Sequence, residues 1–251
     1  LNKKIYFNRS NKTKLGGAEK YLYRLSKALA KENIEHQIVN SIFSKFLPSW
    51  LRAILFNIQV SLTKRDKFYY SLDRITCPDL YRAGDGVHKV FLSIENKSRL
   101  NLLHPVYLYL ERHCFNNAKC IIANSNMVKE QIIDTYNINP NKINIIYNGI
   151  ELKEIDYKKS YDKLSKEFSI SKNQSILLFV GSGFKRKGVA EFLQIISKLK
   201  TTDIKAFIIG KERNIKYYQN LSKKLNIDSQ VVFTGPRNDV DDFYSISDIF
   251  L

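Results

Sequence analysis

The feature that most constrains the fold is a repeated order of short apolar strand, polar or glycine-containing loop, and amphipathic helix. It is clearest in the second half of the chain. Strands are predicted at residues 176–180, 206–209 and 231–234, and helices at 189–199 and 217–225. Strands that alternate with helices build parallel sheets covered on both faces. The pattern therefore predicts an α/β protein.

The first half of the chain follows the same order. A short strand at 5–7 leads to Gly16-Gly17, and from Ala18 onward apolar residues recur at helical spacing. A second copy contains a strand at 120–123 and a helix at 127–136, and a further strand follows at 143–146. Two such runs in one chain predict two Rossmann-like domains with parallel sheets.

The composition changes between residues 151 and 172, where charged side chains dominate. We interpret this stretch as a linker with a surface helix, between domains at 1–150 and 173–251. The last residues predict a helix at 240–247 and an apolar strand from 248, and a strand needs neighbours for its backbone groups. The second domain is therefore expected to be incomplete. The first residue is leucine rather than methionine, which is consistent with a clipped start.

Composition narrows the classes of function. Lys and Arg number 41 against 24 Asp and Glu, a formal net charge of +17, which attracts nucleic acid, anionic membranes and phosphorylated substrates alike. A solvated lysine-rich surface explains the charge equally well. The three cysteines form no CxxC pair, which favours a reducing compartment without structural zinc. With no secretory signal pattern and no apolar run long enough for a span, we expect a soluble, cytoplasmic protein.

The segment VGSGFKRKG, residues 180–188, follows a predicted strand and precedes a predicted helix. At such a position, amides at the helix N-terminus and the helix dipole favour a phosphate. Glycines allow close backbone approach, Arg186 can hold phosphate with two donors, and Lys187 adds a charge. The spacing fits neither a Walker A loop nor GxGxxG. The alternative is an ordinary turn with solvated lysines.

The matching loop of the first domain is Gly16-Gly17, which by itself is a weak signal because two glycines often mark only a turn. Two glycine loops, one from each domain, would form a better anion site if they faced each other across a cleft.

Five stretches occur together in the chain: GGAE (16–19), CIIANS (120–125), YNGI (147–150), VGSGFKRKG (180–188) and GPRNDV (235–240). In this order they resemble the retaining glycosyltransferases of family 4, and most closely the lipopolysaccharide core glucosyltransferase branch. The resemblance implies a GT-B fold, in which the first domain lies on the acceptor side. The second, here partial, would bind the nucleotide sugar.

The resemblance also implies which residues bind the donor. Arg186 and Lys187 would hold the diphosphate, Gly16-Gly17 would lie against the donor phosphate and sugar, and the segment from Arg237 would border the base. The implied donor-binding set is Gly16, Gly17, Gly181, Arg186, Lys187, Arg237, Asn238 and Val240.

The catalytic centre has two candidates. Ala83-Gly84-Asp85 is similar to the core-transferase branch, which carries an aspartate where many family members place a histidine that contacts the donor sugar. Asp85 is therefore the first candidate and His88 the second, although an aspartate between two glycines is also a common turn residue. The other three histidines lack ligand spacing. We expect no metal and no cofactor beyond the sugar donor.

The implied activity is transfer of a sugar, glucose from UDP-glucose, to a phosphorylated lipopolysaccharide core or related lipid-linked saccharide. The alternatives are a GT-B-fold sugar-nucleotide epimerase and a basic nucleic-acid-binding protein. Against the latter stand the regular α/β alternation and the lack of an RNA-binding motif or zinc spacing, so we expect no nucleic-acid partner. The acidic E-x7-E motif of the family would follow the strand that begins at Ile249, so we expect this 251-residue chain alone to be inactive.

One further segment suggests a membrane partner. Residues 47–62 place an apolar helical face beside Lys64-Arg65, an arrangement suited to an anionic interface on the inner side of the cytoplasmic membrane. The alternative is a helix packed on its own sheet. The residues of that face are Trp50, Leu51, Ile54, Leu55, Ile58 and Leu62.

Overall fold

The computed structural model describes residues 4–12, 16–95, 101–149, 154–199 and 203–251. The chain divides into two compact units, Leu1–Ile150 and Glu151–Leu251. Each unit contains one sheet, and the paired strands of both sheets are parallel. The prediction of an α/β architecture with two parallel sheets is confirmed.

The strands and α-helices described in the first unit are β1 (Ile5–Asn8), α1 (Gly17–Lys31), β2 (His36–Val39), α2 (Ser49–Thr63), β3 (Phe68–Ser71), β4 (Leu80–Ala83), α3 (His88–Glu95), α4 (Leu103–Asn117), β5 (Cys120–Ala123), α5 (Asn126–Tyr136) and β6 (Ile143–Ile145), with a short 3-10 helix at Pro140–Lys142 before β6. The strand order is β2-β1-β3-β4-β5-β6. Because parallel strands end at the same edge, the loops after β1, β3 and β4 gather there.

Strand β3 shows how the first unit is layered. Consecutive side chains of a strand point to opposite faces of its sheet. Tyr69 packs with Phe56 and Val60 of α2, whereas Tyr70 packs with Leu22 of α1. Helices α1 and α2 therefore cover opposite faces, and the strands between them are buried on both sides.

The elements described in the second unit are α6 (Tyr157–Phe168), β7 (Ser175–Val180), α7 (Phe184–Lys187), α8 (Val189–Lys198), β8 (Ile204–Ile209), α9 (Ile215–Lys224), β9 (Val231–Gly235), α10 (Val240–Ile246) and β10 (Ile249–Phe250). The strand order is β10-β7-β8-β9. Helices α8 and α9 pack on one face of the sheet, and α6 and α10 pack on the other.

Helix α6 lies in the stretch that the sequence analysis interpreted as a linker with a surface helix. Its Leu164 is fully buried and packs with Phe207 and Phe243 of the second unit. Six of its twelve residues are charged, so the low apolar content reflects a single buried stripe. The helix is part of the core of the second unit.

Helix α2 contains most of the apolar segment at 47–62. It buries Phe56 and Val60 against the sheet, while Ile58 is 46% exposed and Leu62 is 77% exposed. The helix therefore packs on its own sheet and also presents an apolar edge. Among the described residues, none of the helices combines the length and the apolar character that crossing a membrane requires.

Candidate functional site

The loop after β7, residues 181–188, is a sharp strand-to-helix connection, hereafter the β7 loop. Gly183 has a φ of +74° and Gly188 a φ of +80°, a backbone region that glycine adopts without strain. Between them the single turn α7 begins at Phe184, whose side chain is fully buried in the core. This aromatic anchor fixes the loop and leaves its following side chains at the surface.

Three consecutive cations of the β7 loop are exposed: Lys185, Arg186 and Lys187. Within the described ranges no carboxylate forms an ion pair with any of them. The aliphatic part of Lys187 lies over Gly181, where an added Cβ would be 3.6 Å from Lys187 Cε. A cluster of cations without an ion-pair partner among the described residues retains its attraction for an anionic ligand.

The loop after β8 packs against the β7 loop. An added Cβ on Gly210 would lie 1.9 Å from the carbonyl oxygen of Gly181, so only glycine fits there. The amide of Lys211 donates to Ser182 Oγ at 3.2 Å. The two loops are thereby held together at the carboxyl edge of the sheet.

Glu212 changes the expected use of the helix N-terminus. Its carboxylate accepts from the amide of Phe184 at 2.9 Å and from that of Asn214 at 3.0 Å. Hydrogen bonds from the amides of Asn214 and Phe184 lower the pKa of Glu212. The sequence predicts that such amides are open to phosphate, but the first amide of α7 already has an acidic acceptor. Sequence reasoning missed this residue; its only signal is an acid two positions after Gly210.

Arg237, expected to border the base, uses its guanidinium within the second unit. It donates to Glu167 at 2.5 and 3.0 Å and to Asp239 at 2.8 and 2.7 Å. It also lies over the rings of Phe168 and Phe243. Lys163 joins the same group by pairing with Asp239 and Asp242, each at 2.6 Å. These contacts give the side chain of Arg237 a bracing role between α6 and the loop after β9.

The two neighbours of this arginine in the expected donor set are placed differently. Asn238 is exposed, whereas Val240 is half-buried and packs against the core on the α6 side of the sheet. A contact with the base therefore remains a prediction for both residues.

In the first unit, the expected glycine pair lies at the start of α1. Gly16 has a φ of +140°, and α1 begins at Gly17, where an added Cβ would meet no atom within 4 Å. The first turn of this helix carries Glu19, which accepts two hydrogen bonds from Arg9 at 3.0 and 2.7 Å. The open space at Gly17 is compatible with the predicted donor contact, which remains a prediction.

A cavity of about 330 Å³ opens at the carboxyl edge of the first sheet, hereafter the first-unit cavity. It lies within the first unit, among the loops after β1, β3 and β4 and the first turns of α2 and α4. Its volume falls at the lower end of the range for small-molecule sites. The charged and aromatic side chains that line it include Arg9, Arg52, Asp73, Arg74, Asp85 and Tyr107.

Asp85, the first catalytic candidate, lies at this cavity. The residue is exposed, and no donor among the described residues forms a hydrogen bond with its carboxylate. By contrast, Asp73 on the neighbouring loop accepts from the amide of Ser10 at 2.6 Å and from Arg9. Asp85 therefore has the chemistry of a carboxylate that is free to meet a hydroxyl group.

A buried carboxylate on α4 holds the loop that carries Asp85. Glu111 is fully buried and accepts from the amides of His88 and Lys89 at 2.7 and 3.2 Å. It also pairs with Arg74 at 2.9 Å, and Arg74 in turn donates to the carbonyl of Gly86 at 3.2 Å. The sequence analysis singled out neither Glu111 nor Arg74, because their partners are distant in the chain.

His88, the second candidate, is engaged elsewhere. Its Nε2 lies 3.2 Å from Nδ1 of His104, and its ring packs beside Phe91 and Tyr107. Burial, with a smaller effect of the Arg74 charge, lowers the pKa of His88, which favours the neutral ring. The lining of the first-unit cavity includes Asp85 but not His88. Among the described residues, no group of three or more His, Cys, Asp or Glu side chains is placed to hold a metal ion.

Two family models match successive parts of the chain. The model for glycosyltransferase family 4 matches residues 85–154 in the first unit and the first residues of the second. The model for glycosyl transferases group 1 matches residues 160–251, which comprise most of the second unit.

Curated relatives match parts of the chain. The N-acetyl-alpha-D-glucosaminyl L-malate synthase of Bacillus anthracis is 30% identical over 116 residues, which are 45% of this chain and 30% of that protein. The lipopolysaccharide glucosyltransferase WaaG of Escherichia coli K12 is 33% identical over 85 residues, which are 33% of this chain and 22% of that protein. The matches thus span about a third or less of the length of these relatives.

Solved structures with the same fold cover nearly the whole chain. The crystal structure of WaaG, described as a glycosyltransferase involved in lipopolysaccharide biosynthesis, has a TM-score of 0.81 at 19% identity. The match covers 98% of this chain and 74% of the WaaG chain. Anabaena Alr3699/HepE, in complex with UDP and glucose, has a TM-score of 0.67 at 18% identity and covers 99% and 73%. The chain therefore carries a match to the glycosyltransferase family 4 domain followed by a match to the glycosyl transferases group 1 domain, and its fold is the GT-B fold of these structures.

Proposed function

We propose that the full-length protein is a retaining glycosyltransferase that moves glucose from UDP-glucose to a phosphorylated saccharide of a lipopolysaccharide core or a related lipid-linked glycan. The observation that carries this proposal is the β7 loop, which presents Lys185, Arg186 and Lys187 together without an acidic partner among the described residues. Family membership supplies the reaction class, and the loop supplies a site for the donor diphosphate.

The chemistry required of this site is stabilisation of charge on the leaving group. When the bond between sugar and diphosphate breaks, negative charge develops on the departing phosphate oxygen. Arg186 and Lys187 would neutralise that charge through charge-assisted hydrogen bonds, and the buried Phe184 fixes the turn that carries them. A prearranged cation pair lowers the barrier because it need not reorganise during the reaction.

Asp85 is the residue that we propose at the reacting centre. The departing phosphate oxygen would assist removal of the acceptor proton, as is usual for the family, so Asp85 would orient sugar hydroxyls. Its carboxylate lies at the first-unit cavity and forms no ion pair with a described cation, although Arg74 is near enough to attract it. The Glu111–Arg74 pair holds its loop in place, which suits a positioning role for those two residues.

The donor and acceptor identities rest on what related proteins are named for. WaaG is named as a lipopolysaccharide glucosyltransferase, and Alr3699/HepE is described with UDP-glucose bound. By analogy we propose UDP-glucose as donor and a core-type saccharide as acceptor, with no metal required.

The test is a transfer assay with radiolabelled UDP-glucose on the full-length protein, with phosphorylated core lipid as acceptor. We expect an α-linked glucosyl product, and Asp85→Asn should lower turnover about a hundredfold or more while UDP affinity stays the same. The control is Asp134→Asn, an exposed aspartate on α5. A 2-epimerised nucleotide sugar without transfer, or protection from unfolding by oligonucleotides but not by UDP-glucose, would replace this proposal with one of the two alternatives.

We also propose that the exposed edge of α2 lies on the anionic inner face of the cytoplasmic membrane. Leu62 and Ile58 present apolar surface, and Arg65 beside them is exposed and has no acidic partner among the described residues. Co-sedimentation should show binding to anionic but not neutral vesicles, and Leu62→Glu should reduce it. Tyr217→Glu, at an exposed site in the second unit, should have no effect. Equal binding to both vesicle types would reject the idea.

A further inference from the structure

The cations that line the first-unit cavity differ in how far they are neutralised. Arg9 pairs with both Glu19 and Asp73, and its side chain is only 13% exposed. Arg74 pairs with Glu111. Arg52, on the second turn of α2, has no carboxylate partner in the described part of the chain. It is the cation of this cavity that the described acids leave uncompensated.

The only polar partner described for Arg52 is neutral. One of its guanidinium nitrogens, Nη2, donates to Oδ1 of Asn11 at 3.0 Å. A guanidinium has five N–H donors, so most of them remain available. The hydrogen bond to Asn11 therefore orients the guanidinium without removing its charge.

The start of α2 adds to the positive potential beside Arg52. The helix begins at Ser49, which also lines the cavity, and the preceding Pro48 provides no side-chain acceptor for its first amides. The first turn contains no acidic residue. The N-terminal end of a helix carries a partial positive charge, which favours an anion near it.

The remaining lining suits a sugar ring. Tyr107, Leu103 and Phe56 provide aromatic and aliphatic surface, while Asp85 provides an unpaired carboxylate that can accept from hydroxyl groups. Small-molecule sites typically combine apolar walls with a few placed polar groups. As far as the described residues show, the cavity thus combines a cation on α2 and a carboxylate after β4 that form no ion pair.

We propose that Arg52 is a specificity residue that binds an anionic substituent, a phosphate or a carboxylate, on the acceptor sugar. With that group held at Arg52, the sugar ring occupies the cavity and presents a hydroxyl group toward Asp85. Identifying the bound sugar as the acceptor rests on the proposed glycosyltransferase function. The binding of a charged sugar at Arg52 does not depend on it. It identifies which side chain selects a charged sugar over a neutral one.

The experiment measures binding without donor and without turnover, so that it is independent of the reaction. The full-length protein is titrated with glucose 6-phosphate, glucuronate and glucose, followed by ligand-observed NMR. We expect at least one charged sugar to bind about tenfold or more tightly than glucose. Comparing glucose 6-phosphate with glucuronate shows whether the site binds a phosphate or a carboxylate. Inorganic phosphate should compete with the charged sugar for the site.

Two variants make the outcome specific to Arg52. Arg52→Gln should reduce the affinity for the charged sugar to that for glucose. Asn11→Asp places a carboxylate beside the guanidinium at an exposed position, and it should abolish the same preference with Arg52 intact. The controls are Arg112→Gln and Asn116→Asp, both at exposed positions that do not line the cavity.

The two proposals fail in different ways. Equal affinity for charged and neutral sugars, no detectable binding of any of them, or an unchanged preference in Asn11→Asp would each overturn the role of Arg52. Absence of glucosyl transfer together with Arg52-dependent binding would overturn the reaction and leave the anion site standing.

Discussion

The sequence assigned two groups of basic side chains in the second unit to the donor: Arg186 and Lys187 on the β7 loop, and Arg237 after β9. The two groups differ in their surroundings. Lys185, Arg186 and Lys187 are exposed on the β7 loop without acidic partners among the described residues. Arg237 is bound by two carboxylates and packs on two phenylalanine rings. The first group keeps its charge for a ligand, whereas the second uses its charge to join parts of the same unit.

The difference shows that a basic residue in a recognisable stretch can serve either role. Internal carboxylates stabilise an arginine but also occupy the donors that a phosphate would need. Four predictions separate the two roles by measuring stability and UDP affinity independently, in order of expected effect.

The largest effect is expected from Gly210→Ala, which removes the support of the β7 loop. The added Cβ would lie 1.9 Å from the Gly181 carbonyl oxygen at a φ of +151°. Overpacking and backbone strain together should lower the free energy of unfolding by about 3 kcal/mol. Chemical denaturation measures this, and Gly17→Ala, where an added Cβ has open space, is the control. An unchanged midpoint for Gly210→Ala would mean that the β7 and β8 loops are not in contact.

Arg186→Ala should weaken UDP binding by about tenfold to a hundredfold, because a charge-assisted hydrogen bond contributes roughly 1.5–3 kcal/mol. Its unfolding midpoint should not change, since the side chain is exposed and unpaired among the described residues. Arg186→Lys should also be impaired if the contact is bidentate. Calorimetric titration checks this, with Lys198→Ala at an exposed position as the control. Unchanged affinity in both Arg186→Ala and Lys187→Ala would remove the β7 loop from the donor site.

Arg237→Ala should show the opposite behaviour. Losing its bonds to Glu167 and Asp239 and its packing on two rings should lower the free energy of unfolding by about 1–2 kcal/mol, after allowance for solvent screening. UDP affinity of the folded variant should equal that of the unmodified protein. If the affinity falls as far as in Arg186→Ala, the arginine contacts the donor as the sequence implied, and the comparison fails.

The smallest effect is a pH dependence of the same network. The bond from Arg237 lowers the pKa of Asp239, and the bond from Lys163 lowers the pKa of Asp242. A carboxylate whose pKa is lower in the folded state stabilises the protein above its unfolded pKa, about 3.9, and loses that contribution as the pH falls.

The difference in stability between the unmodified protein and Lys163→Gln should therefore be present at pH 7 and shrink as the pH falls below about 4. Thermal unfolding across this range measures it. Lys166→Gln, at an exposed lysine of the same helix without an acidic partner among the described residues, should show a constant difference. A constant difference for Lys163→Gln as well would show that its ion pairs do not contribute to stability.

Long-range partners explain what could not be predicted from sequence. Glu212 is 28 residues from the amide that it binds, and Glu167 is 70 residues from Arg237. The elements β2, β3, β4, α3 and α4 were not predicted individually either. In β4, for example, Arg82 interrupts the apolar pattern although its side chain is buried and stacked on Tyr21.

The sequence by itself determined the parallel α/β architecture, the turn after β7 and the identity of its cations. These features depend on apolar periodicity and on glycine conformations, and both are determined by residues that are close together in the sequence. Only the tertiary structure decided which charged groups are paired. Arg237 is bound by carboxylates and His88 contacts His104, whereas Arg186 and Asp85 have no ion-pair partner in the described parts of the chain. The physical reason is that a charge is neutralised by whatever the fold brings within a few ångströms, and those partners come from distant parts of the chain.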